Sequence, residues 1–223
     1  MGRIGTFAVS PDAQKIVYTV SYYSVQQNKS HTVLYLMDAD GANPTLLTTT
    51  ADNESEPAFT PDGQRITFLS GKSGSSQIWE MALDGTSRRQ VSFCHKDVEG
   101  YKFSPDGKSH HRPFRRHLYF YREKYDDLPL SSGMVITDLN YKHWDHYVTT
   151  IPHIFVADVQ DGRTGDGIDL LNGEPFECPM LPFGGSEQFN WSPDSVISCT
   201  PVAKRQAGTT LSVRTATSTA MIR

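Results

Sequence analysis

Four copies of a Ser/Thr-Pro-Asp turn, a regular spacing between them, and a strand pattern after each predict an all-β fold for this 223-residue chain. The fold class predicted is an incomplete β-propeller of about three to four blades with a short helical insertion. The copies are AVSPDAQK at 8–15, FTPDGQR at 59–65, FSPDGK at 103–108 and FNWSPDS at 189–195. Their prolines, Pro11, Pro61, Pro105 and Pro193, are 50, 44 and 88 residues apart, and the last gap is twice 44. Periods of roughly 40–50 residues belong to propeller blades.

Each turn has a chemical reason. Proline at the second position presets φ, Ser or Asp can bond the turn's own N–H groups, and Gly supplies φ > 0. A β-branched or aromatic run follows, Lys15–Val20 in the first repeat and Arg65–Leu69 in the second. A second strand then leads to a Gly turn: Thr32–Met37 before Gly41, Gln77–Met81 before Gly85, and Ile154–Val159 before Gly162. Short exit strands are expected at 44–48 and 88–92. Residues 1–7 hold no recognisable strand of a blade.

The partial propeller is expected to span 1–195. An insertion at about 121–150 interrupts it. There Ile136, Leu139, Tyr141, Trp144, Tyr147 and Val148 recur at several steps of three or four, which predicts one short helix with an aromatic face. Residues 196–223, rich in Thr, Ala and Arg and without strand alternation, are expected to form an aberrant, disordered tail.

The bulk numbers narrow the function. A net charge of −4 and a pI near 6.0 argue against a nucleic-acid partner. No apolar run is long enough to span a membrane, and the N-terminus does not read as a signal peptide. Cys94, Cys178 and Cys199 form no CxxC pair and read as free thiols.

The chain contains two near-matches to the G-x-S-x-G nucleophile elbow, Gly71–Ser75 and Gly184–Gln188, and both lack the final glycine. Gly71-Lys72-Ser73 and Gly107-Lys108-Ser109 mimic the end of a phosphate loop without its first glycine. His143 and His146, three apart, are two metal-type ligands without an implied third. Asn28, Asn53 and Asn190 open formal glycosylation sequons. The expectation is therefore no catalytic residue, no cofactor-binding residue and no metal ligand in this chain.

Two stretches, VYTVSYYSVQQNKSHTVLYLMDADG and ITDLNYKHWDHYVTTIPHIFVADV, resemble bacterial dipeptidyl-peptidase V, a serine peptidase of the prolyl oligopeptidase family. The resemblance covers roughly 7–108 and 125–194. It implies an N-terminal propeller over an α/β-hydrolase domain that carries a Ser-Asp-His triad, with this chain holding the propeller part only. It further implies short peptides as the parent's substrates and a periplasmic or secreted location. The Ser-Pro-Asp-Gly repeats taken alone imply only a free-standing TolB-like propeller that binds protein partners, and this alternative stays open.

Two places depart from the pattern. After Lys108 a central strand is expected, yet the chain reads SHHRPFRRH, with proline and charge. After Ser195 the tail loses strand character. Both are compatible with frameshifts: AGT-CAT-CAT-CGT-CCG for Ser109–Pro113, read one base later, encodes Val-Ile-Ile-Val-Arg. On that reading Arg223 is an accidental end.

Overall fold

The computed structural model describes residues 2–117, 141–142, 146–147, 150–174, 176–179 and 184–195, together with three short strand pieces beyond them. Its framework is three four-stranded antiparallel sheets, one per repeat. The first comprises β1 (Gly2–Val9), β2 (Lys15–Ser24), β3 (Lys29–Asp38) and β4 (Thr45–Leu46), hydrogen-bonded in sequence order. The second repeats that order with β5 (Glu54–Phe59), β6 (Arg65–Ser70), β7 (Gln77–Ala82) and β8 (Arg89–Gln90).

The third blade begins with β9 (Lys102–Phe103) and β10 (Ser109–His117). A two-stranded piece follows, β11 (Tyr141–Lys142) against β12 (His146–Tyr147). Then β13 (Thr150–Asp158) and β14 (Ile168–Asp169) complete the sheet in the order β9-β10-β13-β14.

The fourth repeat is represented by strand pieces. β15 (Phe176–Glu177) precedes a 3-10 turn at Ser186–Gln188, and β16 (Asn190–Trp191) pairs with β17 (Ser198–Cys199). β18 (Val202–Lys204) lies between β15 and β19 (Ser212–Arg214).

Several expectations need correction. The N-terminal residues do belong to a blade: β1 is the first strand of the first sheet, paired from Gly2↔Tyr22 to Val9↔Ile16. The helix expected within 136–148 is not what the described residues there form, since Tyr141–Lys142 and His146–Tyr147 are paired strands. Tyr141 and Tyr147, directly opposed, are of a residue type that favours a pleated ladder. The rest of the insertion lies outside the described residues. Of residues 196–223 only the short pieces β17, β18 and β19 are described, and the others lie outside the described residues.

The SHHRPFRRH segment is a central strand, flanked by β9 and β13. Its register explains why Pro113 is compatible with that place. Val159 N–H donates to Lys108 O at 2.7 Å, and pairing continues from Ser109↔Asp158 to His117↔Thr150. Alternation along an antiparallel ladder then makes Pro113↔Ile154 a non-hydrogen-bonded pair, with the proline nitrogen turned toward the β9 side. There β9 pairs only with His110 and His111, so no ladder bond is lost.

The turn chemistry is the same in the first three repeats. Ser10, Thr60 and Ser104 each donate a hydroxyl to the aspartate two residues on, at 2.6 Å. That carboxylate accepts the backbone N–H of Gln14, Gln64 or Lys108 at 3.0–3.1 Å. Positive φ falls where expected, at Ala13, Gly63, Gly107 and Ser195. The turns also touch one another. A Cβ on Gly63 would meet Pro11 at 3.4 Å, one on Gly107 would meet Pro61 at 3.5 Å, and Asp106 N–H donates to Ser195 Oγ at 3.1 Å. Each turn is therefore a docking point for the next blade as well as a hinge.

The core lies between blades. Val17, Leu34, Leu36 and Leu47 of the first pack on Phe59, Ile66, Phe68 and Met81 of the second. Leu69, Ile78 and Val91 of the second pack with Val98 and Tyr101, at the entry to the third.

Candidate functional site

β1 packs beside β5, and β9 beside β16, so the first strands of the sheets form one rim. On this rim three repeats bring ionisable groups together. Glu56 comes from β5, Tyr101 and Lys102 from the start of the third blade, and Ser186 and Glu187 from the 3-10 turn before β16.

Glu56 occupies a β-bulge, where the β5–β6 register shifts between Ser55 and Ala58, and its φ is +47°. The Tyr101 hydroxyl pins this bulge, lying 2.9 Å from the Glu56 carbonyl oxygen and 2.9 Å from Thr67 Oγ1. Burial raises the Glu56 carboxyl above its ordinary value; a hydrogen bond with Ser186 opposes that rise and the charge of Glu187 adds to it. Burial lowers the Lys102 ammonium, and Glu187 counteracts the shift. The Tyr101 hydroxyl is pushed up, chiefly by burial. Lys102 also stands 5.6 Å from the centroid of the buried Phe189 ring. The cluster can bind or repel charge at the rim.

The near-motifs of the sequence are placed as follows. Gly71–Ser75 is the β6–β7 hairpin loop, with Gly74 N–H donating to Gly71 O at 2.9 Å. In Gly184–Gln188 the Gly185 N–H donates to Glu187 Oε1 at 2.8 Å, and Ser186 belongs to the rim cluster. Gly107-Lys108-Ser109 is the third turn running into β10. His146 lies in β12, and His143 falls outside the described residues. Asn28 sits at a positive-φ turn, Asn53 Oδ1 accepts Thr32 N–H at 2.9 Å, and Asn190 begins β16. Cys94 is half-buried, with its Sγ donating to Gly165 O at 3.7 Å, and Cys178 is buried. Among the described residues no three His, Cys, Asp or Glu gather as a metal site.

One histidine–carboxylate pair does occur. His153, fully buried, has Nδ1 at 2.9 and 3.0 Å from the two Asp169 oxygens. Among the described residues its Nε2 is buried without a hydrogen-bond partner. The sequence reading missed this pair and the rim cluster. The available signal for the rim was positional: Glu56, Lys102 and Glu187 all fall in the few residues before a repeat turn.

Comparison with known proteins agrees with this architecture. The TolB beta propeller domain family matches residues 1–112, and the chain belongs to that family. Within it, the chain is similar to dipeptidyl-peptidase 5 of Porphyromonas gingivalis, at 40% identity over 197 residues, 87% of this chain and 28% of that protein. The counterpart from Porphyromonas endodontalis is 39% identical over the same shares. The chain thus spans about a quarter of the length of these relatives. An acylaminoacyl peptidase solved with Z-Gly-Gly-Phe-chloromethyl ketone shares the fold at a TM-score of 0.60 and 12% identity, covering 97% of this chain and 33% of that one. The acylaminoacyl peptidase of Pyrococcus horikoshii does so at 0.58 and 14%, covering 91% and 28%.

Proposed function

We propose that the chain is the non-catalytic propeller part of a dipeptidyl peptidase of the prolyl oligopeptidase family. The observation that carries this reading is the 40% identity to a dipeptidyl-peptidase 5 over a stretch that is only 28% of it. The parent would release dipeptides from peptide N-termini with an α/β-hydrolase domain, and the propeller would restrict what reaches that domain. A rim carrying Glu56, Lys102 and Glu187 suits this role, since it would meet an entering peptide with ionisable groups. The parent would work outside the cytoplasm. A free-standing TolB-like scaffold for protein partners is the competing reading, supported by the family match alone.

The test is a chimera in which this chain replaces the matched stretch of the Porphyromonas gingivalis relative. Dipeptide release from short peptides is expected, with folded proteins left uncut. Equal release by the relative with that stretch deleted would overturn gating. A serine-directed fluorophosphonate is expected to leave this chain unlabelled on its own, and labelling would overturn its non-catalytic character.

A further inference from the structure

The loop between the third and fourth strands of a blade is six residues long in the first two blades, 39–44 and 83–88, and nine in the third, 159–167. The longer loop leaves its own sheet and reaches the second blade. Thr164 N–H donates to Val91 O at 2.9 Å and Phe93 N–H donates to Thr164 O at 2.9 Å, which makes Ser92↔Thr164 a parallel bridge. His95 N–H donates to Asp166 Oδ1 at 2.9 Å. The chain then returns as β14, on the edge of its sheet opposite β9.

This detour leaves a cavity of about 320 Å³ between the loop and the end of β13. That is near the lower end of the roughly 300–1,000 Å³ of small-molecule sites, so an occupant must be small. Val156, Ala157 and Ile168 give the cavity an apolar wall, and Asp158 and Arg163 give it one group of each charge.

Arg163 is set for recognition. Its guanidinium lies 5.4 Å from the centroid of Phe93, and it makes no ion pair among the described residues. Stacking uses the face of a guanidinium and leaves its in-plane N–H fork for a planar carboxylate. A phosphate dianion would suit the fork as well, but Asp158 in the same small cavity opposes a double negative charge and attracts a cation.

We infer that this cavity binds a small zwitterion with an apolar side chain, an amino acid or a dipeptide. Its carboxylate would lie on Arg163, its ammonium toward Asp158 and its side chain against Val156 and Ile168. The inference stands on this cavity and is independent of the parent's activity. One wall belongs to the third blade and the other is bonded to the second, so an occupant ties the two blades together.

The test titrates alanyl-leucine into the whole chain by isothermal calorimetry. Saturable binding is expected, weakened about tenfold or more by Arg163→Gln. With the unaltered chain, amidating the dipeptide's carboxylate or acetylating its amine should weaken binding by as much. Lys72→Gln removes a cation that stands 5.5 Å from the Trp79 ring centroid, elsewhere on the second blade, and should leave the affinity unchanged. Bound dipeptide should also slow hydrogen exchange at the Phe93 and Thr164 amides. No saturable binding, equal affinity for the amidated dipeptide, displacement by equimolar inorganic phosphate, or unchanged exchange at those two amides would each overturn the inference.

Discussion

The second and third blades share a turn, a strand order and a register, yet their central strands differ in kind. β6 reads RITFLS, and Ile66 and Phe68 are fully buried. β10 reads SHHRPFRRH. Counted from the turn proline, His110 and Arg112 hold the positions of Ile66 and Phe68. The pairing follows the same equivalence: Ile66↔Met81 corresponds to His110↔Ala157, and Phe68↔Trp79 to Arg112↔Phe155. The difference teaches that turn chemistry and a single well-matched partner strand set blade topology even where the central strand is not apolar. β13 reads TIPHIFVAD, a strong strand, and supplies the pairing that β10's own composition does not.

The comparison breaks most sharply at Phe68. Phe68→Ala removes a fully buried ring from the seam between the first two blades and leaves Arg88, which lies 5.1 Å from the ring centroid, without its platform. A loss of about 3–5 kcal/mol is expected, read as a fall in the urea midpoint. A loss under about 1 kcal/mol would mean that the first two blades do not share a core.

The comparison is sharpened by making the third blade resemble the second. The double change His110→Ile, Arg112→Phe places apolar side chains on the row that carries Phe103 and Phe155, both packed against the core shared with the second blade. A raised urea midpoint is expected, because the register sets both positions opposite Phe103 and Phe155 and burying one such apolar side chain is worth about 1.5–3 kcal/mol. An unchanged or lower midpoint would show that β10's polar residues are no weakness of the blade.

Much of this architecture was legible in the sequence because it resides in local chemistry. The Pro-aligned turns located β2, β6 and the hydrogen-bonded Ser/Thr-Asp pairs, and the Gly41 and Gly85 turns located the ends of β3 and β7. β1 was not legible: Gly2 and Gly5 interrupt its pattern, and its side chains are largely exposed, so no alternation marks it. The helix expected over 136–148 came from counting steps of three and four in a stretch whose aromatic content suits strands equally. The proline rule misread β10 because the rule concerns a lost ladder bond, and the pairing of β9 ends before Pro113 is reached. The rim cluster had no local signature, since Glu56, Lys102 and Glu187 belong to three different repeats and meet only when the blades are assembled.

The smallest effect tests that assembly. Folding raises the Glu56 carboxyl, mainly by burial, above its ordinary value of 4.5. A folded-state value above the unfolded one means that the folded chain binds the proton more tightly. The stability from neutral Glu56 is then fully present below about pH 4.5, and it is lost as the pH rises through the raised folded value. Glu56→Gln keeps the side chain neutral and should flatten the urea midpoint across that window, with the midpoint at neutral pH rising relative to the parent. Glu187→Gln removes the neighbouring charge that adds to the shift, so it should narrow the window without abolishing it. A Glu56→Gln profile that still falls over the same range would place the titrating group elsewhere than at the rim where the second, third and fourth repeats meet.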